Sequence, residues 1–266
     1  MLRLKIYSLN LRELKGNFDM WAVCKKELQN YFYSPVGYVF LAIFMLISAI
    51  LFFNINLAAN TYGTGYSGKA DYSVALQNMT IYLSFITPVL TMRIFAEERR
   101  NKTDQLYLTS PISITSVVLG KYFAALAVLL IAMVLNLIFP IVIAIYTSSG
   151  SLSAGMLAVQ YVGFFLIGAT FMAMGVFISS LTESQVVAAV ISFAIAFIVW
   201  LGNNTVSSLG DGFAQTLASS LNMLARYQNF ADGIVGFSPF VYYISISGLF
   251  VFLTIRSIER RRWTGV

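Results

Sequence analysis

Across residues 72–92, and again across 122–182, no residue carries a charge. About a quarter of an ordinary soluble domain is charged; here the figure is 11%, against 58% hydrophobic. The apolar residues also come in lengths that suit hydrocarbon. At about 1.5 Å per helical residue, about 20 residues cross an apolar layer of about 30 Å. Six runs meet that length, near residues 37–55, 74–92, 117–146, 157–181, 186–201 and 237–255. The expected fold is an all-α polytopic membrane protein with six transmembrane helices. So little polar material remains that residues 1–266 are expected to form a single membrane domain.

The third run exceeds one crossing, so its first turns, Lys121 included, are expected to project into water. Residues 147–151 (Thr-Ser-Ser-Gly-Ser) read as an exposed turn, and Thr182-Glu183-Ser184 as a tight connection. The first apolar run starts near Val36, after a polar segment of mixed charge, and is expected to act as an uncleaved signal-anchor. Basic residues cluster in residues 1–36, in the second connection (Arg93, Arg99, Arg100, Lys102, Lys121) and in the tail 256–266 (Arg256, Arg260, Arg261, Arg262). Of the 17 basic residues, only Lys69 and Arg226 fall on the other face. The positive-inside rule makes the basic face cytoplasmic. The expected location is the cell membrane, multi-pass, with both termini in the cytoplasm.

Two segments read as neither span nor loop. In residues 19–33, Trp21, Cys24, Leu28, Tyr31 and Phe32 recur at helical spacing, while Lys25, Lys26, Glu27, Gln29 and Asn30 fall mostly on the other side. That pattern predicts an amphipathic helix in the cytoplasmic interface, ending at Ser34-Pro35. On the outer side, Phe213, Leu217, Leu221 and Leu224 form a stripe that Asp211 is placed to cap. A half-helix dipping toward the membrane and a solvated loop both fit residues 211–224.

Several chemistries are excluded. Residues 63–70 nearly match a phosphate-binding loop, but Ala70 stands where a magnesium-binding hydroxyl is needed, and no strand precedes it. With no histidine, the usual hydrolytic triads and zinc sites are missing. No carboxylate sits mid-span, which argues against an ion-coupled relay. Asn136, Gln160 and Ser192 read as polar groups that pack helix on helix, and the lone Cys24 as a small packed residue. The chain is therefore expected to be no enzyme and to bind neither metal nor cofactor. Its basic residues hug span ends, which favours lipid contact over nucleic acid.

What stands out in the polar remainder is the connection after the second run. Glu97, Glu98, Arg99, Arg100, Lys102 and Asp104 lead through Thr103 and Gln105 into Leu106, Tyr107 and Leu108, then Ser110 and Pro111. A short amphipathic helix here would insert apolar residues into a partner groove, with charges at the rim.

These pieces resemble the permease subunits of ABC-2 type transporters, most nearly the gliding-motility-associated permeases. The likeness runs through 25–28, 31–38, 95–100, 103–106 and 109–111 to Gly120-Lys121, then through 226–230, Gly233 and 254–263. It implies a coupling helix at 97–111 seated in a separate cytoplasmic ATPase, and an elbow helix before span one (Trp21, Cys24, Lys25, Lys26, Leu28, Phe32). It also implies ATP-driven export through two permease subunits, alike or different, with ATP and magnesium on the ATPase. Many such permeases carry glycine before the threonine matching Thr103, where this chain has Lys102. An ATP-independent secondary transporter or channel, or a membrane anchor for a partner complex, are the competing readings.

Overall fold

The computed structural model describes residues 20–58, 72–105, 113–146, 154–205, 222–234 and 236–264. These residues are helical apart from short turns, with no strand among them. Among the described residues, six helical stretches are long and apolar enough to cross a membrane: Pro35–Ile55, Tyr72–Arg100, Ile114–Ile145, Ala154–Leu181, Gln185–Gly202 and Phe237–Arg262. The six-span architecture expected from the apolar runs is thus observed.

Helix α1 covers residues 20–33 and α2 Pro35–Phe52. Pro35 opens α2 in the first turn, where its missing N–H is no loss. The span ends in a π-helical turn, Phe53–Ala58. Helix α3 (Tyr72–Thr91) contains Pro88, which removes the N–H that would have met the Ser84 carbonyl. The Thr87 hydroxyl donates to that carbonyl instead, at 3.1 Å. Helix α4 is the short Ala96–Arg100.

The third run is broken. Helix α5 (Ile114–Asn136) stops at Leu137, and α6 (Ile138–Tyr146) follows. The cause is Pro140, whose ring conflicts with the Asn136 carbonyl one turn earlier. Contrary to expectation, Lys121 does not project into water; it is 3% exposed. The surplus length is taken up at the far end by the break.

Helix α7 (Ala154–Leu181) is the hub, buried along most of its length and packed on α3, α5, α8 (Gln185–Thr205), α9 (Met223–Ala231) and α10 (Phe237–Thr264). Close packing comes from missing side chains: a Cβ on Gly175 would lie 2.1 Å from Thr91 Oγ1. Helices α2, α8 and α10 expose much apolar surface, as span faces toward lipid do. The connection Thr182-Glu183-Ser184 is tight, as expected.

At the end away from α4, uncharged groups join the helices. Asn136 Oδ1 accepts from Tyr72 at 2.6 Å and from Tyr161 at 2.8 Å, and its amide donates to Ser48 Oγ at 2.8 Å. The Gln160 amide donates to Ser73 Oγ at 2.7 Å and to the Ala231 carbonyl at 2.8 Å. Asn136 and Gln160 thus pack helix on helix, as expected. The Ser192 hydroxyl is buried with no partner among the described residues.

Of the expected outer stripe, Asp211, Phe213, Leu217 and Leu221 lie outside the described residues, as do the turn at 147–151 and the glycine-rich 63–70. Leu224 belongs to α9, a helix capped by Asn222 and buried through Tyr227, Phe230 and Ala231. The described part, Asn222 to Ala231, is a buried helix and not a solvated loop.

Candidate functional site

Around Glu97 the chain leaves the span, and three helices meet on one buried ammonium. Lys121 Nζ of α5 donates to Glu27 Oε1 of α1 at 2.8 Å, to Glu98 Oε1 of α4 at 2.8 Å and to the Ile94 carbonyl at 3.1 Å. The Phe95 ring lies 5.2 Å away as a fourth, cation–π contact. A cation this buried is tolerated only when paired and hydrogen-bonded, and removing a partner from such a group is strongly destabilising. The cluster therefore fixes α1, α4 and α5 relative to one another.

Sequence explains why α1 can lie so close. A Cβ on Gly120 would stand 2.8 Å from the Met20 carbonyl and 2.9 Å from Val23 Cβ. Glycine lets the backbones approach, and the next residue, Lys121, reaches Glu27. Tyr31 of α1 adds a phenol that donates to the Leu90 carbonyl at 3.4 Å. Burial pushes that phenol above its ordinary range, and it likewise raises the Cys24 thiol, so both stay neutral.

Helix α4 is tied on its other sides too. Arg93 grips Glu97 through two bonds of 2.7 and 2.8 Å. Arg99 reaches Glu183 at 2.8 Å, across to the connection between α7 and α8. Ser179 of α7 accepts from the Phe95 and Ala96 N–H groups, both at 3.1 Å, and donates to the Met92 carbonyl at 3.0 Å. Arg261 of α10 donates to the Ser180 carbonyl nearby.

The exit from α4 resolves the Lys102 departure. Lys102 has φ +55°, in the left-handed region that favours glycine. The Thr103 N–H meets the Glu98 carbonyl at 2.9 Å and the Lys102 N–H meets Arg99 at 3.0 Å. This is a Schellman stop, whose left-handed position glycine usually fills. Lysine is accommodated there, so the turn is kept with a less favourable residue.

The expected coupling residues divide as follows. Glu97, Glu98 and Arg99 are anchored in ion pairs, the Thr103 hydroxyl donates to the Glu98 carbonyl at 3.2 Å, Arg100 and Gln105 are exposed, and Asp104 is half-buried. Leu106, Tyr107, Leu108, Ser110 and Pro111 lie outside the described residues. Of the elbow residues, Cys24 is buried, Leu28 and Phe32 are half-buried, and Lys25 and Lys26 are exposed. Trp21, expected on the apolar side, is exposed. One assignment to the faces of that helix needs correction. Glu27, assigned mostly to the polar side, turns inward to Lys121. Tyr31 was placed on the apolar face, but its bond to Leu90 was not foreseen, nor were the roles of Arg93, Lys121, Ser179 and Glu183. The signal available for Lys121 was a lone lysine inside an apolar run, which requires counter-charges.

A model of the family described as ABC-2 family transporter protein matches residues 21–258, from the start of α1 to near the end of α10. No curated protein matches the chain.

Proposed function

Since the chain belongs to the ABC-2 transporter family, we propose that it is the permease of an ATP-driven exporter, worked by a separate cytoplasmic ATPase. The chain is a multi-pass transmembrane component of such a transporter and not its ATPase. In our reading residues 97–111 dock on the ATPase, residues 1–36 include the elbow, and the basic tail 256–266 lies on the same cytoplasmic side. Two permease copies or partners enclose the path, within the gliding-motility-associated subgroup. ATP and magnesium belong to the ATPase.

The observation that carries this reading is the buried Lys121 cluster joining α1, α4 and α5. A docking segment can move spans only if it is rigidly tied to them. Driving a two-state permease from 1:99 to 99:1 takes about 5.5 kcal/mol of differential binding. Such a load requires firm anchors behind the docking residues as well as at their tip.

The test is co-purification with a separate Walker-motif ATPase. Binding should be lost on deleting residues 97–111. Leu106→Asp should abolish stimulation of ATP hydrolysis while the permease still inserts in the membrane. Normal stimulation in that variant would remove Leu106 as an anchor. Solute flux by the permease alone along an ion gradient would overturn the ATP-driven reading altogether.

A further inference from the structure

Beside the Lys121 cluster lies a cleft of about 430 Å³, between α1 and the segment running from Arg93 to Thr103. Its wall carries three carboxylates, Glu27, Glu97 and Glu98, against two cations, Arg93 and Lys121. One acidic group is therefore in excess. The second carboxyl oxygen of Glu98, Oε2, is buried and has no partner among the described residues. A buried carboxylate oxygen without a donor is unfavourable, and the cleft is the space from which a donor can come.

The surroundings say what kind of donor. Tyr33 lines the cleft and is 87% exposed, and Trp21 and Tyr38 are exposed at the same end of the molecule. Amphipathic aromatic rings gather at the headgroup level of a membrane. From there α2 exposes Val39, Ile43, Leu46 and Ile50 at helical spacing, an uncovered apolar stripe running into the span. A polar chamber continuous with a hydrocarbon track has the shape of a lipid.

We propose that this cleft binds the headgroup of an aminophospholipid, with its primary ammonium at the Glu97 and Glu98 carboxyls and its acyl chains along the exposed stripe of α2. Arg93, on the same wall, supplies the guanidinium that suits the phosphate. A primary ammonium brings three N–H donors, whereas a choline headgroup brings none. An anionic headgroup lacking an amine meets the surplus carboxylate and is rejected. The site is a lipid site of the permease itself and holds whichever partner docks at residues 97–111.

The experiment is native mass spectrometry of the purified full chain titrated with phosphatidylethanolamine, its mono- and dimethyl derivatives, phosphatidylcholine and phosphatidylglycerol. Phosphatidylethanolamine should bind about tenfold more tightly than phosphatidylcholine, the effect of about one charge-assisted hydrogen bond, with a graded loss along the methyl series. Val36→Trp, which fills the cleft from α2 and leaves every charged residue in place, should erase that preference while leaving thermal stability in phosphatidylcholine unchanged. Equal binding of the two lipids, a preference for phosphatidylglycerol, or an unchanged preference in Val36→Trp would each overturn the site. Competition by soluble phosphoethanolamine as strong as by the lipid would overturn the lipid as its source. Stoichiometric release of phosphatidylethanolamine on adding the ATPase, with loss of ATPase binding in Val36→Trp, would assign the cleft to the protein partner instead.

Discussion

The two ends of the bundle are fastened by different chemistry. At the α4 end, Glu27 and Glu98 tie three helices through charge to the ammonium of Lys121, which is 3% exposed. At the other end, Asn136, Tyr72, Tyr161 and Ser48 tie four helices with neutral hydrogen bonds. Neutral groups that lose a partner forfeit the desolvation of one group, about 1–3 kcal/mol, whereas stranded buried charges lose more. The charged end is therefore a stiff joint that fails abruptly, and the neutral end one that yields in steps. In the coupling role proposed above, the stiff joint is the one that would take the load.

The largest effect should follow Lys121→Met, which strands two carboxylates. We expect a loss of about 3–5 kcal/mol in detergent-solubilised unfolding. Combining it with Glu27→Gln and Glu98→Gln should restore most of the loss. If the single and triple variants unfold alike, the contrast between the ends disappears.

Next comes the neutral end. Asn136→Leu takes the acceptor from two phenols and should destabilise by about 1–3 kcal/mol for each one left buried and unpaired. Adding Tyr72→Phe and Tyr161→Phe should recover stability one step at a time. Gly120→Val should cost about 1–3 kcal/mol by overpacking against α1. It should also speed alkylation of Cys24, whose buried thiol is held protonated in the native packing. Unchanged alkylation would mean that α1 is not seated on Gly120. The smallest effect runs the other way: Lys102→Gly should stabilise by about 1 kcal/mol, by relieving a left-handed lysine. A null result in the melting temperature would show that contacts of lysine offset that strain.

Much of the frame is legible in the sequence. Uninterrupted apolar runs give the six spans, Thr182-Glu183-Ser184 the tight connection, and Trp21 to Tyr33 the helix before span one, because each signal is local. The errors lie where the deciding partner is remote. Glu27 looks like a surface residue among Lys25, Lys26 and Gln29, and only Lys121, far along the chain, turns it inward. Lys121 in turn looks like a snorkelling lysine at a span's edge, until two carboxylates converge on it. Pro140 was visible in the third run, and its conflict with the Asn136 carbonyl would have predicted the break. The residues that resemble a coupling helix were recognised as a motif, yet the ion pairs that anchor Glu97, Glu98 and Arg99 have no spacing that a linear reading detects.

Ser179 has one more consequence, for the order in which the molecule can be made. The N–H groups of Phe95 and Ala96 find their acceptor only in a hydroxyl more than eighty positions downstream. While the ribosome is still producing the third span, these two N–H groups still lack the Ser179 acceptor. They gain it when the fourth span arrives with Ser179. This end of the bundle therefore matures late in synthesis, once the first four spans are in place.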